Sequence, residues 1–342
     1  MTDTNHTTHP PEGSLVGDRD STTGETPVDV ISIARDRYDN CKPIFTKDAM
    51  RDFSRQLKAV VDGQSSVISV RGLDGRMRVF QVSPDREPKM EFNPIQDLGR
   101  LGVYQLEIFP TIDTELSVGY TREQIGRNIQ PMEKVEPYFK QTVTKWEATT
   151  ACQHLKATLK GLLQRNPNVR KIDKIVAYAC GSLSRFETEE SGSYPSLEPR
   201  PHYQHALVMT LLNVLQNERT DRDTEQIQCY LQDPIYTDPE KEMLAQFNLE
   251  VVDSPEGFLL TDDSTAVLSF APDVPAKQIV LDISIPSVII WFKSDEDDLS
   301  VPWADPDSPR ARRLIDEYYD VVDFQDHESR FGTSFYVKRA ST

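Results

Sequence analysis

The chain has 342 residues, 37% of them hydrophobic, which is enough for one large domain or two ordinary ones around a real core. Its 55 acidic against 38 basic residues give a formal net charge of -17, so long-range repulsion opposes nonspecific binding to nucleic acid or to an anionic membrane surface. Cys41, Cys152, Cys180 and Cys229 are scattered without CxxC spacing. That pattern fits free thiols in a reducing compartment better than a disulfide framework or a zinc site.

In chain order, residues 1–27 are polar and rich in Thr, Pro and Gly, with no basic start followed by an apolar run. They read as a disordered tail rather than a secretory signal, because they offer little surface to bury. No stretch is long and apolar enough to cross a membrane. Residues 28–141 read as an α+β extension. There "TKDAMRDFSRQLKAVVDG" places Met50, Phe53, Leu57 and Val60 or Val61 on one helical face, with Thr46 as cap and Gly63 as stop. "SSVISVRGLDGRMRVFQVS" predicts two short strands around a turn at Gly72 to Gly75. "VYQLEIFP" and "TELSVGY" suggest further strands, and "YTREQIGRNI" a short helix. From Val135 to Arg165 the apolar spacing predicts one long amphipathic helix, ended by Asn166 and Pro167.

Residues 142–293 then alternate between strand and helix: "KIDKIVAYAC", "PHYQHALVMTLLNVLQ", "EQIQCYLQD", "PEKEMLAQF", "LEVVD", "STAVLSFAP", "PAKQIVLDIS" and "SVIIWF". Continuous Val and Ile runs joined by helices predict a Rossmann-like, doubly wound, mostly parallel α/β sheet. Ile175, Val176, Tyr230, Val251, Val267, Leu268, Ile289 and Ile290 are expected in its adjacent strands. Within residues 294–342, the acidic, proline-punctuated "SDEDDLSVPWADPDSP" reads as a solvated loop. A helix around "RARRLIDEYYDVV" and a strand "TSFYVK" follow as a cap on the sheet edge, with Arg310, Arg312 and Arg313 docking on the acidic body.

"KIVAYACGSLSR", "HYQHALVMTLLNVL", "YLQDPIYTDPEKEMLAQFNLEVV" and "SPEGFLLTDDSTAVLSFAP" together resemble the Sensitivity to Red light Reduced (SRR-like) domain family over Lys171 to Phe292. The most specific parts are the Gly181-Ser182 turn, Tyr203-Gln204 and the Asp233-Pro234 turn. The resemblance implies an intracellular α/β protein linked to regulation: circadian and light signalling in plants, haem metabolism and growth in animals and fungi. No reaction follows from it. Where many members carry a proline, histidine and cysteine cluster, "SFAPDVPAKQIV" keeps Pro272 but has Asp273 and Val274, which puts in doubt any metal or haem role of that cluster.

The candidate ligand-binding residues are Gly181, Ser182, Ser184, Arg185, Tyr203, Gln204 and Asp233. A glycine turn at a strand end is where an open α/β sheet holds ligands, and an acid after the second strand suits ribose hydroxyls. The turn has one glycine, however, and Glu187, Glu189 and Glu190 separate it from the next helix, an arrangement that repels phosphate. Each feature has a structural alternative: a plain turn at Gly181, and at Asp233 a Pro234 turn followed by the Thr237, Pro239 and Glu240 capping signature. His202 and His205 have the spacing of a metal pair but no third ligand near in sequence, and are read as surface residues at a helix start. Cys180 is read as a buried small hydrophobe rather than a reactive thiol. No catalytic or metal-binding set is recognised, and no cofactor is named. The expected function is regulatory, through protein partners or a small-molecule ligand, in the cytoplasm with the nucleus as a second compartment. The competing reading is an S-adenosylmethionine- or nucleotide-dependent enzyme with its site at the carboxyl ends of the strands.

Overall fold

The computed structural model describes residues 29–105, 112–121, 129–187, 196–197, 199–218, 226–292, 299–300, 302–322, 324 and 332–340. The expected tail, most of "YTREQIGRNI", the second half of "VYQLEIFP", Glu189, Glu190 and the run 294–298 lie outside the described residues.

The N-terminal extension contains α1 (Val30–Asp39), α2 (Lys47–Val61), β1 (Val67–Arg71), β2 (Met77–Gln81), β3 (Pro88–Phe92), α3 (Ile95–Gly99), a single 3-10 turn at Gly102–Gln105, and β4 (Leu116–Tyr120). The Thr46 side chain accepts from Ala49 N and starts α2 as its cap, and β1 and β2 form the expected hairpin. The start of "VYQLEIFP" is the 3-10 turn and not a strand. The extension has no separate core. Phe45, Met50, Phe53, Ile68, Phe92 and Leu98 share one apolar cluster with Val176, Val267 and Ile289 of the main sheet. Lys47 Nζ also donates to the carbonyls of Leu259 and Thr261, and Asp282 accepts from the amides of Ile44 and Phe45.

The predicted single helix over 135–165 is two helices, α4 (Met132–Glu147) and α5 (Thr150–Arg165). The break occurs because the Thr149 side chain accepts from Cys152 N and so starts a new helix. α4 also runs through the expected 141/142 division. Then follow α6 (Pro167–Arg170), β5 (Lys174–Tyr178), the two-residue strands β6 (Phe186–Glu187) and β7 (Ser196–Leu197), α7 (Pro199–Asn217), β8 (Gln228–Gln232), α8 (Asp238–Ala245), β9 (Glu250–Val251) and α9 (Glu256–Leu260). The chain ends with β10 (Thr265–Ser269), α10 (Ala276–Ile283), β11 (Val288–Phe292), α11 (Pro309–Tyr318), β12 (Tyr319–Val322) and β13 (Thr333–Lys338).

The main sheet has seven strands in the order β12-β13-β11-β10-β5-β8-β9. β11, β10, β5, β8 and β9 run parallel, while β13 is antiparallel to β11 and to β12. All eight expected strand residues lie in this sheet. Successive residues face opposite layers: Ile175 and Ala177 pack toward α4, α5, α7 and α8, whereas Val176 and Tyr178 pack toward α2, α9, α10 and the extension. Burial on both faces explains why these strands read as unbroken apolar runs. α7 and α10 leave β5 and β10 for opposite faces, so the strand order reverses between β5 and β10.

A buried hydrogen bond joins α4 to α7: Trp146, fully buried, donates through Nε1 to Thr210 Oγ1 at 2.8 Å. Arg310 docks as expected, at 2.7 Å from the buried Asp282, whereas Arg313 approaches Glu317 of its own helix. No described helix is long and apolar enough to cross a membrane.

Candidate functional site at the ends of β5 and β8

β5 stops because the chain turns through two left-handed residues, Ala179 at φ +55 and Gly181 at φ +76. Ala179 N still bonds Gln232 O, so the turn begins on the sheet itself. Gly181 N then donates to Asp233 Oδ2 at 2.9 Å, and Ile235 N donates to Asp233 Oδ1 at 3.1 Å. One carboxylate thus ties the loop after β5 to the loop after β8. Pro201, from the first turn of α7, packs directly over the glycine: a Cβ there would sit 2.9 Å from Pro201 Cγ. Gly181→Ala is expected to lower stability by about 1 to 3 kcal/mol, because it meets both the unfavourable φ and this contact. The shift in urea midpoint measures it.

Behind the turn lies Glu240, fully buried at the start of α8. Its Oε1 accepts from Ser182 Oγ at 2.7 Å and from Ser184 N at 2.9 Å. Its Oε2 accepts from the amide and hydroxyl of Thr237, both at 2.8 Å. A carboxylate offers about four acceptor positions, and all four are in use. Burial pushes the Glu240 carboxyl up, but the bonds from Thr237, Ser182 and Ser184 outweigh it and hold the pKa below its ordinary value. The capping signature expected at Thr237 and Glu240 is present, and the same glutamate also holds the Gly181 turn.

A second buried chain of polar groups runs beside it. His205 Nδ1 lies 2.6 Å from Pro201 O, and Nε2 lies 2.7 Å from the Tyr236 hydroxyl. A carbonyl only accepts, so Nδ1 carries the proton and Tyr236 donates to Nε2. Burial lowers the His205 pKa to about 4. Burial first, and then the nearby Asp233 charge, push the Cys180 thiol well up. The result is a neutral imidazole, a protonated thiol and a fully occupied carboxylate. None of the three is poised to take or give a proton near neutral pH, because the relay ends on a backbone carbonyl.

The surface role expected for His202 and His205 is overturned: both are fully buried, His202 with its ring 4.8 Å from Tyr138 and 6.1 Å from Phe139. α7 is apolar on nearly every side, and that is the sequence signal that marked its histidines as buried. Among the described residues, no group of three or more His, Cys, Asp or Glu is placed to hold a metal. Cys180 is buried, as read from the sequence.

Of the seven candidates, the structure joins Gly181, Ser182, Ser184 and Asp233 into one hydrogen-bonded assembly with Glu240. Tyr203 and Gln204 are buried in the first turns of α7, and Arg185 is exposed, its backbone paired with Ile129. Glu240, Tyr236, His205 and Pro201 complete the assembly. A small surface cleft lies elsewhere, between α1, α10 and α11, and is lined by Arg37, Lys42, Gln278, Asp282 and Arg310 among others.

No curated protein and no solved structure matches the chain. The family comparison does match: residues 151–299, from the first turn of α5 to the segment beyond β11, correspond to the SRR1 domain. That stretch, somewhat less than half of the chain, contains all five parallel strands and every residue of the assembly around Gly181, so the similarity to the SRR1 domain falls on the candidate site and on the sheet that positions it.

Proposed function

We propose that the protein is regulatory and noncatalytic, acting in signalling, growth or haem-related control by binding protein partners or a small ligand, in the cytoplasm and nucleus. One observation carries this reading: the polar groups that a nucleotide needs at the β5 turn are already bonded within the chain. The Gly181 amide is held by Asp233, Ser182 and the Ser184 amide by Glu240, and Pro201 covers the glycine. In a dinucleotide site those amides face a pyrophosphate and the glycine lets it approach. Here the same atoms lock three loops together, which suits a rigid surface presented to a partner.

A second reading is favoured by the strand order. Numbered along the domain, the parallel strands run 3-2-1-4-5, the order of nucleoside-binding folds, with an antiparallel hairpin beyond the fifth. Asp233 stands after the second strand and is only half-buried, so an S-adenosylmethionine- or nucleotide-dependent enzyme is the alternative. Fold alone does not supply the chemistry.

A thermal-shift panel of S-adenosylmethionine, NAD, ATP and haem separates the two. The regulatory reading expects an unchanged melting temperature with the nucleoside cofactors. A ligand present at one hundred times its Kd stabilises by about 2.7 kcal/mol, and such a rise with S-adenosylmethionine, NAD or ATP would establish the enzyme reading instead.

A further inference from the structure

The proline-punctuated segment before α11 is expected to be solvated, and residues 302–304 are exposed, but Asp305 is half-buried and Pro306, Asp307 and Ser308 are buried. Leu299 O accepts from Val103 N at 2.9 Å, and a Cβ on Gly102 would collide with that same carbonyl. The Tyr104 hydroxyl accepts from Trp303 N at 3.0 Å and donates to Trp303 O at 3.1 Å. Asp305 Oδ1 accepts from Lys277 N, in the first turn of α10, at 3.0 Å. Gln278 Nε2 donates to Pro306 O at 3.1 Å and to Gln96 Oε1 at 2.9 Å, while Gln96 donates to Asp307 O. Residues 302–307 therefore lie strapped between the extension and the start of α10. α10 follows β10, one of the two strands that flank the reversal in strand order.

The strap is held differently from the body. Its tethers are hydrogen bonds to backbone groups, each worth little net against water. Its largest side chain, Trp303, is 57% exposed and adds little burial. It also carries an internal strain. Asp307 is buried and Asp305 half-buried, Lys277 is the cation that acts on Asp305, and Asp307 Oδ2 has no hydrogen-bond partner.

We propose that residues 302–307 form a releasable strap that opens as a local unit and uncovers the first turn of α10 at the carboxyl edge of the sheet. The functional use of that edge rests on the partner-binding reading above. Opening belongs to the low-stability end of a fold, where few apolar contacts must be broken. It is also pH-dependent. Burial first, with Lys277 and the Lys277 amide opposing and Asp307 adding, pushes Asp305 up to about 7. A carboxyl whose pKa is raised by closing favours the closed form at low pH, and that preference is lost as pH rises from about 4 through 7.

The test is hydrogen exchange on the full chain, comparing wild type with Tyr104→Phe/Gln278→Ala. The expected result is at least tenfold faster exchange at Trp303, Ala304, Asp305 and Asp307, the strap residues with an amide hydrogen, and at Lys277 and Gln278, with β5 and β10 at wild-type rates. Equal acceleration of β5 and β10, or no change in the strap, overturns the proposal. Wild type alone provides a second measurement should the variant not fold. After correction for intrinsic exchange, strap protection should fall between pH 5 and 8 while β5 stays constant, and a flat profile overturns the proposal. Exchange reads the strap without any partner. A strap that opens as expected in a protein whose α10 edge engages no partner leaves the strap standing and removes the functional reading.

Discussion

Replacing Glu240 with alanine lowers the stability of the fold by about 3 to 5 kcal/mol, which is large against the usual range for a single substitution. The reason is that four donors lose their acceptor at once: the Ser182 hydroxyl, the Ser184 amide, and the amide and hydroxyl of Thr237. Buried donors left unpaired each forfeit their desolvation, and no water reaches a residue with no exposed surface. Glu240→Gln is expected to do about half the damage, since its amide keeps one acceptor oxygen and turns a donor toward the other pair. Urea unfolding at pH 7 measures both. The glutamate's pKa is depressed, so its contribution is present above about 4.5 and is lost as pH falls through the folded value. The gap between wild type and Glu240→Ala should therefore narrow on acidification. A Glu240→Ala protein within 1 kcal/mol of wild type would mean that the four bonds are not the lock described here.

The second large effect is the penalty on His205 in acid. Its folded pKa is about 4 against an unfolded value of 6.5, because burial excludes the charged ring. Between those values the unfolded chain binds a proton that the folded one refuses. Folding loses about 3 kcal/mol between pH 6.5 and pH 4 on this account. Asp97, Glu115 and Asp305, raised by burial to about 6, 7 and 7, act with the opposite sign in the same window. The informative quantity is therefore a difference. His205→Phe should be destabilised near neutrality, because Tyr236 and the Pro201 carbonyl lose their partner. Its deficit should then shrink by about 3 kcal/mol on going to pH 4. A deficit independent of pH would show that the imidazole is not held neutral.

Much of the sheet was legible because burial on both faces writes itself into local sequence: "KIVAY", "TAVLS" and "VIIWF" are continuous apolar runs of strand length. β3 and α1 were not read, since their apolar residues are few and take their meaning from the main-sheet cluster they join. The join between α4 and α5 was missed for a different reason. Helix-forming residues run on across it, and the break is marked only by the Thr149 cap and by the step from Trp146 to Leu155, which would place the two on opposite sides of one continuous helix. At the site, Gly181 and Asp233 were visible as separate turns. Their bond spans 52 residues, so no local pattern reports it. Glu240 was read as a cap and is one, but its other oxygen serves the Gly181 loop, which only tertiary structure can supply. Asp305 looked solvated because acidic, proline-rich segments usually are, and its acceptor role on Lys277 N comes from a neighbour in space.

The position of β13 has a bearing on how the chain acquires its structure during synthesis. Thr333–Lys338, made after every other described strand of this sheet, is not at the rim but lies between β11 and β12, paired in register with Val288–Phe292. Until it emerges, β11 presents an unsatisfied edge of Val, Ile and Trp. The extension, made before the sheet, waits as well, because Phe45, Met50 and Phe53 have no core until β5, β10 and β11 exist to receive them. The segments on either side thus close late on a sheet that is complete in sequence but open in space. Residues 151–299 are a unit of resemblance, and are expected not to fold alone. Expressed alone, they would expose one sheet face and the β11 edge, and are expected to aggregate where the full chain does not.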